Sequence, residues 1–219
     1  VCEAIAADPL LALVAAVDPQ AAGQQRAGVA VAGELRALAD AHAEVVVDFT
    51  VAHAARTTLP WLAMHGMHAV VGTTGFDADD FTAFHTAFSG SNCLIASNFA
   101  ISAVLMMRFA ELAAPYFDTA EIIELMAAAN SEWAPDPTQH EPYPGARGSV
   151  GPGGIRLHSV RMRGMVAHQE VILGAQGQTL TIRQDSYDRS SYMPGVVLAC
   201  KRIAHLPGLT LGLDAVLGV

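Results

Sequence analysis

The 219-residue sequence predicts an α/β fold built on a parallel sheet, and three short stretches carry the prediction. Val45-Val46-Val47-Asp48-Phe49-Thr50, His68-Ala69-Val70-Val71 with Gly72-Thr73-Thr74-Gly75-Phe76, and Cys93-Leu94-Ile95-Ala96 with Ser97-Asn98-Phe99 each pair a buried-strand signal with a polar turn. They recur about every 20 residues, the period of strand, helix, strand units. In an open parallel sheet the ligand sits beyond the carboxyl ends of the strands, so these three turns are expected to line one crevice.

Each flanking segment supports that reading. Val1 to Leu10 reads as a helix already under way, and Leu10 to Val17 as a buried parallel strand closed by Asp18-Pro19. An acid ending the second strand of a dinucleotide fold is placed to accept hydrogen bonds from the adenosine ribose, although Asp18 also suits plain turn initiation. Helical spacing follows in Gly33 to Ala43, in Ala52 to Met67 with Gly66 as C-cap, and in Asp77 to Phe88 with acids at its positive end. Pro60 is expected to kink the second of these. Ile101 to Pro115 is a long apolar helix and Thr119 to Leu125 a strand.

From Asn130 to Gly154 the prolines and glycines leave no periodicity, which predicts a loop or linker. Ile155 to Arg163, His168 to Leu173 and Thr179 to Gln184 then read as strands with short gaps, hence a second, antiparallel or mixed sheet in an α+β domain. Pro194 to His205 reads as a final amphipathic helix, and Gly195 to Val219 as a whole as apolar and helical. The expected layout is 1–101 for ligand binding, 102–190 for substrate binding and assembly, and a helix in 191–219 that returns to the first domain.

Composition narrows the function. The net charge of −9 without a basic block argues against binding a phosphate backbone. No apolar run reaches the roughly 18 residues needed to span a bilayer, so a cytoplasmic protein is expected. Cys2, Cys93 and Cys200 lack metal-type spacing and read as reduced structural thiols, and the nine histidines show no ligand spacing either. His168 in its apolar strand reads as structural. Arg161, Arg163, Arg183 and Arg189 are candidates for a dicarboxylate or for surface and subunit contacts.

Val-Asp-Phe-Thr at 47–50, Val-Val-Gly-Thr-Thr-Gly-Phe at 70–76, Ala-Ser-Asn-Phe-Ala at 96–100 and Pro-Gly-Ala-Arg-Gly at 144–148 together resemble the 4-hydroxy-tetrahydrodipicolinate (dihydrodipicolinate) reductase family. So do Gly-Met-Val-Ala-His-Gln-Glu-Val at 164–171 and Tyr-Asp-Arg-Ser-Ser-Tyr-Met-Pro-Gly at 187–195, with an actinobacterial alanine content. The resemblance implies a Rossmann-like dinucleotide-binding domain, NADH or NADPH as cofactor, a small dicarboxylate substrate and a homotetramer. It implies that Gly72, Thr73 and Thr74 approach the nicotinamide ribose and amide, that Ala96, Ser97, Asn98 and Phe99 lie along the cofactor, and that Phe49 and Thr50 flank the nicotinamide ring or ribose. Phe49 would serve equally as core.

Two family motifs have no counterpart. The Gly-x-x-Gly-x-x-Gly phosphate turn is absent, and Leu125 runs straight into Met126-Ala127-Ala128-Ala129, which resembles a helix tail, where the family has His-His-x-x-Lys and Ser-Gly-Thr. No catalytic residue is assignable between Leu125 and Met126. Omission of two ligand-ordered loops is the most economical cause, a deletion or an inactive homologue the others. An inactive dinucleotide-sensing protein and an amino-acid dehydrogenase of like architecture stand as alternatives, the latter leaving the carboxyl-terminal motifs unexplained.

Overall fold

A computed structural model describes residues 1–127, 149–150 and 155–218. The Pro-Gly-Ala-Arg-Gly motif and most of the expected linker lie outside these residues. Backbone contacts divide the chain into two units, Val1–Phe99 with Tyr192–Val219, and Ala100–Ser191.

In the first unit, strands β4 (Val45–Asp48), β5 (His68–Val71), β6 (Cys93–Ile95) and β12 (Leu209–Leu211) form a four-stranded sheet in the order β12-β6-β5-β4, every pair parallel. Ala69, Val70, Val71, Cys93 and Leu94 are fully buried, as expected where helices cover both faces and alternation disappears. β4 pairs only with β5 among the described residues, and its three valines are half-buried. Helix α3 (Ala52–Met64) supplies the buried Ala55, Leu59 and Leu62, and α4 (Ala78–Ala87) supplies Phe84 to the same core. α3 runs through Pro60 to Met64, and Gly66 takes the positive φ of 70° that lets the chain turn into β5. At the start of α4, Asp77 Oδ1 accepts the Asp79 and Asp80 amides at 3.0 Å each while Asp80 Oδ2 accepts the Asp77 amide at 2.9 Å.

The carboxyl-terminal segment does more than form a helix. α6 (Met193–Arg202) agrees with a final helix over 194–205, and beyond it Leu209–Leu211 becomes the outer parallel strand on β6, which the helical reading of Gly195 to Val219 did not include. Asn92 fixes this return: its Nδ2 donates to the Ile203 and Ala204 carbonyls at 2.9 and 3.2 Å, and its Oδ1 accepts the Gly208 amide at 3.1 Å. α6 packs through Val196 and Ala199, and Ile203 in the turn after it is likewise fully buried. Gly195 lies directly on the Phe99 carbonyl, where a Cβ would overlap the backbone. Cys93 and Cys200 are buried free thiols; burial pushes Cys200 up to about 11 and Cys93 higher still.

A second, smaller sheet has the order β1-β3-β2: β1 (Ala16–Val17), β2 (Gln25–Arg26), β3 (Val29–Ala32). β1 is parallel to β3, but it is short and half-buried, with Leu10 and Val14 exposed, so the expectation of a fully buried strand from Leu10 is corrected. The β2–β3 hairpin turns through Ala27 and Gly28, both at positive φ. Short helices α1 (Cys2–Ala7) and α2 (Arg36–Asp40) complete this part.

In the second unit, β7 (Thr119–Ala127), β8 (Ser149–Val150), β9 (Arg156–Met162), β10 (Ala167–Ala175) and β11 (Gln178–Ser186) form a mixed sheet, β11-β10-β7-β9-β8. β10 is antiparallel to both neighbours, and β7 and β9 are parallel. Met126 and Ala127 continue β7, so the helix tail expected there is a strand end. Helix α5 (Ile101–Ala113) covers one face, placing Met106 and Ala110 against Val171, Leu173, Ile122 and Ile182. The residues that alternate with these carry charge. Glu121 meets His158 at 2.6 Å, and Arg183 meets Asp185 at 3.0 Å and Glu170 at 3.5 Å. His168 is buried, its Nδ1 2.5 Å from Asp185 Oδ1, its Nε2 accepting the Val166 amide at 3.4 Å and its ring edge-on to Tyr187, so it has a carboxylate partner as well as a backbone one.

Candidate functional site

The carboxyl ends of β4, β5 and β6 are knitted together by backbone bonds that register alone dictates. The Gly72 amide donates to the Asp48 carbonyl at 2.8 Å and the Ala96 amide to the Val71 carbonyl at 3.0 Å. Asp48 itself, 3% exposed, adds a side-chain tie. Its Oδ1 accepts the Thr50 amide at 2.9 Å, the Thr50 hydroxyl at 2.7 Å and the Thr73 hydroxyl at 2.9 Å. One buried carboxylate therefore holds two of the three turns, and three donors compensate its desolvation.

Asp48 was not among the residues the sequence singled out. An acid at a strand end reads as a turn initiator, and the available signal was its position after three valines with a threonine two residues on. At Gly72 a side chain would overlap the Phe49 ring. That ring is 40% exposed and stands 5.4 Å from the buried Phe99 ring, tilted by 51°. Phe49 is thus a partly open aromatic wall above the Gly72 backbone rather than core.

These contacts bring Phe49, Thr50, Gly72, Thr73, Ala96 and Phe99 into one cluster. Thr73 and Ala96 are buried within it, Thr50, Thr74 and Ser97 are exposed, and Asn98 is half-buried. Asp18 belongs to the three-stranded sheet and is joined to the cluster by no hydrogen bond among the described residues. Its Oδ1 accepts the Gln20 amide at 2.8 Å and its carbonyl the Ala21 amide at 3.1 Å, so it does hold its turn. A carboxylate has about four acceptor positions, and one such bond leaves capacity for a ligand hydroxyl.

A cavity of about 350 Å³ lies at the opposite, amino ends of β4 and β5, lined in part by His42, Glu44, His65 and His68. His68 Nδ1 accepts the Asn92 amide at 2.9 Å, which puts the ring proton on Nε2 and removes it as a metal ligand. No grouping of three metal-ligating side chains occurs among the described residues. The chemistry of the chain is therefore sought at the strand carboxyl ends.

Comparison with known proteins agrees with the sequence motifs. Residues 1–99 match the family described as "Dihydrodipicolinate reductase, N-terminus" and residues 102–217 "Dihydrodipicolinate reductase, C-terminus". A 4-hydroxy-tetrahydrodipicolinate reductase of Thermobifida fusca is 47% identical over 80% of this chain and 82% of its own length. The enzyme of that name from Nocardia farcinica is 45% identical over 98% of this chain and 91% of its own. That alignment runs to 240 positions against 219 residues, so the relative carries stretches that this chain passes over. Among solved structures, dipicolinate-bound dihydrodipicolinate reductase from Paenisporosarcina sp. TG-14 superposes with a TM-score of 0.82 at 30% identity, covering 97% of this chain and 92% of that one. With both halves matched and the fold shared, the chain belongs to the dihydrodipicolinate reductase family.

Proposed function

We propose that this protein carries the scaffold of an NAD(P)H-dependent 4-hydroxy-tetrahydrodipicolinate reductase, which reduces a cyclic dicarboxylate imine to tetrahydrodipicolinate on the lysine and diaminopimelate route. The observation that carries the proposal is the cluster at the β4, β5 and β6 carboxyl ends, where Asp48 ties the exposed Thr50 to the buried Thr73 and the partly exposed Phe49 ring stands as an aromatic wall over Gly72. These residues fit a nicotinamide dinucleotide, which when bound supplies the hydride. Phe49, Thr50, Gly72, Thr73 and Thr74 would hold its nicotinamide half, Ala96, Ser97, Asn98 and Phe99 would line it, and Asp18 would accept the adenosine ribose hydroxyls. The protein's part is orientation and exclusion of water; the family's histidine pair and lysine, the expected proton donors, have no counterpart in the sequence.

The test titrates NADH into the protein and then adds substrate while following nicotinamide absorbance. A chain with the histidine-lysine segment restored is expected to oxidise NADH on substrate addition. Binding without turnover in that restored chain would favour an inactive dinucleotide-binding homologue.

On cofactor choice, Asp18 favours NADH at least as strongly as NADPH, because a carboxylate repels a 2′-phosphate and Pro19-Gln20 brings no compensating cation. Asp18→Asn is expected to weaken NADH by about 1–2 kcal/mol and spare NADPH. Equal losses would leave Asp18 with its turn alone. The two contact units support a cofactor domain of 1–101 with 191–219 and a substrate and assembly domain of 102–190. A homotetramer through the second unit's sheet is supported by the face that α5 leaves uncovered within that unit, and a monomer by light scattering would sink it. No helix among the described residues is long and apolar enough to cross a membrane, in keeping with a cytoplasmic setting; recovery of the native protein in a membrane fraction would contradict it.

A further inference from the structure

We infer that Asp48 fixes the hydrogen-bonding polarity of the turn cluster, so that Thr50 can only accept from the nicotinamide half of the cofactor, a requirement that rests on the dinucleotide reading above. A backbone amide can only donate, so the Thr50 amide at 2.9 Å makes Asp48 Oδ1 an acceptor at that position. The two threonine hydroxyls that converge on the same oxygen must then spend their protons on it. Each hydroxyl has one proton. For Thr50 the rival acceptor is the Val51 carbonyl at 3.5 Å, and the carboxylate at 2.7 Å wins on distance and on charge.

With its proton turned inward, Thr50 has only lone pairs to offer. It is exposed, whereas Thr73 is 3% exposed and its hydroxyl carries the same constraint to the second turn. Asp48, equally buried, does not meet the ligand and acts as a positioning residue. The group that Thr50 meets must therefore be a donor: the carboxamide NH₂ or a hydroxyl of the nicotinamide ribose. A methyl ketone in place of the carboxamide, or a deoxyribose, lacks the respective donor.

The experiment is a fluorescence titration of reduced cofactors into the full protein, with and without substitution. NADH is compared with the reduced 3-acetylpyridine analogue and with a reduced analogue lacking the nicotinamide ribose hydroxyls. Thr50→Val, an exposed change, is expected to weaken NADH about 5- to 20-fold and Thr50→Ser by no more than about 2-fold. Thr50→Val should leave one analogue unaffected: the ketone if the carboxamide is the donor, the deoxy analogue if the ribose is. Asp48→Asn keeps an oxygen facing the Thr50 amide but releases the hydroxyl from a charge. It should narrow the preference for NADH over that same analogue by about 3-fold or more, whereas a purely structural role would weaken all ligands alike. Equal losses for all three cofactors in Thr50→Val and Asp48→Asn would overturn the inference. Failure of the unsubstituted protein to bind NADH would instead overturn the dinucleotide reading.

Discussion

The two larger sheets of this chain solve burial differently. In the parallel sheet β12-β6-β5-β4, successive residues such as Ala69, Val70 and Val71 are all buried, because both faces are covered. In the mixed sheet of the second unit, Val171 and Leu173 face α5 while the alternate positions His168 and Glu170 join a network with Asp185 and Arg183. The first arrangement leaves only strand ends for chemistry, and the ends are where the polar turns lie. The second leaves a whole face on which charges must satisfy one another. Polar side chains are thus confined to strand ends in one sheet and spread over a face in the other.

The largest effect expected from this contrast is in cavity creation. Leu94→Ala in β6 should cost about 3 kcal/mol in urea unfolding, and Leu180→Ala in β11, 38% exposed, under about 1 kcal/mol. Comparable costs would mean the second sheet is covered as fully as the first. Next comes Gly195→Ala, where the new methyl meets the Phe99 carbonyl; about 1–3 kcal/mol is expected, with protease sensitivity rising in residues 1–99 and 192–219 but not in the second unit. Sensitivity spread evenly through the chain would break the distinction.

The smallest effect is electrostatic and belongs to the open face. Arg183, with a lesser contribution from His168, holds the Asp185 carboxyl below its usual value. A depressed carboxyl stabilises the fold at pH above its unfolded value, near 4, and that contribution disappears as pH falls through the folded value. Asp185→Asn should therefore flatten the acid limb of a stability profile below about pH 4 and leave neutral pH without further slope. An unchanged acid limb would show that Arg183 screens the group equally in the unfolded chain.

The parallel sheet was legible because three uninterrupted apolar runs end in polar turns, and the residue types in those turns marked the candidate cluster. The outer strand Leu209–Leu211 was not, since its partner Cys93–Ile95 lies more than a hundred residues away and no local pattern encodes such a pairing. The Gln25–Arg26 and Val29–Ala32 hairpin escaped because Ala27 takes a positive φ that its residue type disfavours. The run from Leu10 looked like a buried strand because hydrophobicity reports what could be buried; Leu10 has no partner sheet to cover it. Within the cluster, residue types revealed what faces a ligand but not Asp48, whose role depends on a contact across 25 residues.

The two buried thiols make the first unit its own clock. Cys93 sits in the sheet and Cys200 in the returning helix, both burdened by burial against forming the reactive thiolate. A thiol reagent reaches each one only when its surroundings open, so the labelling rate at Cys93 times the opening of the sheet and that at Cys200 the lifting of α6. If α6 opens as a separate cooperative piece, Cys200 reacts first and its rate is insensitive to Leu94→Ala; if helix and sheet open together, the two cysteines keep one time and the substitution accelerates both.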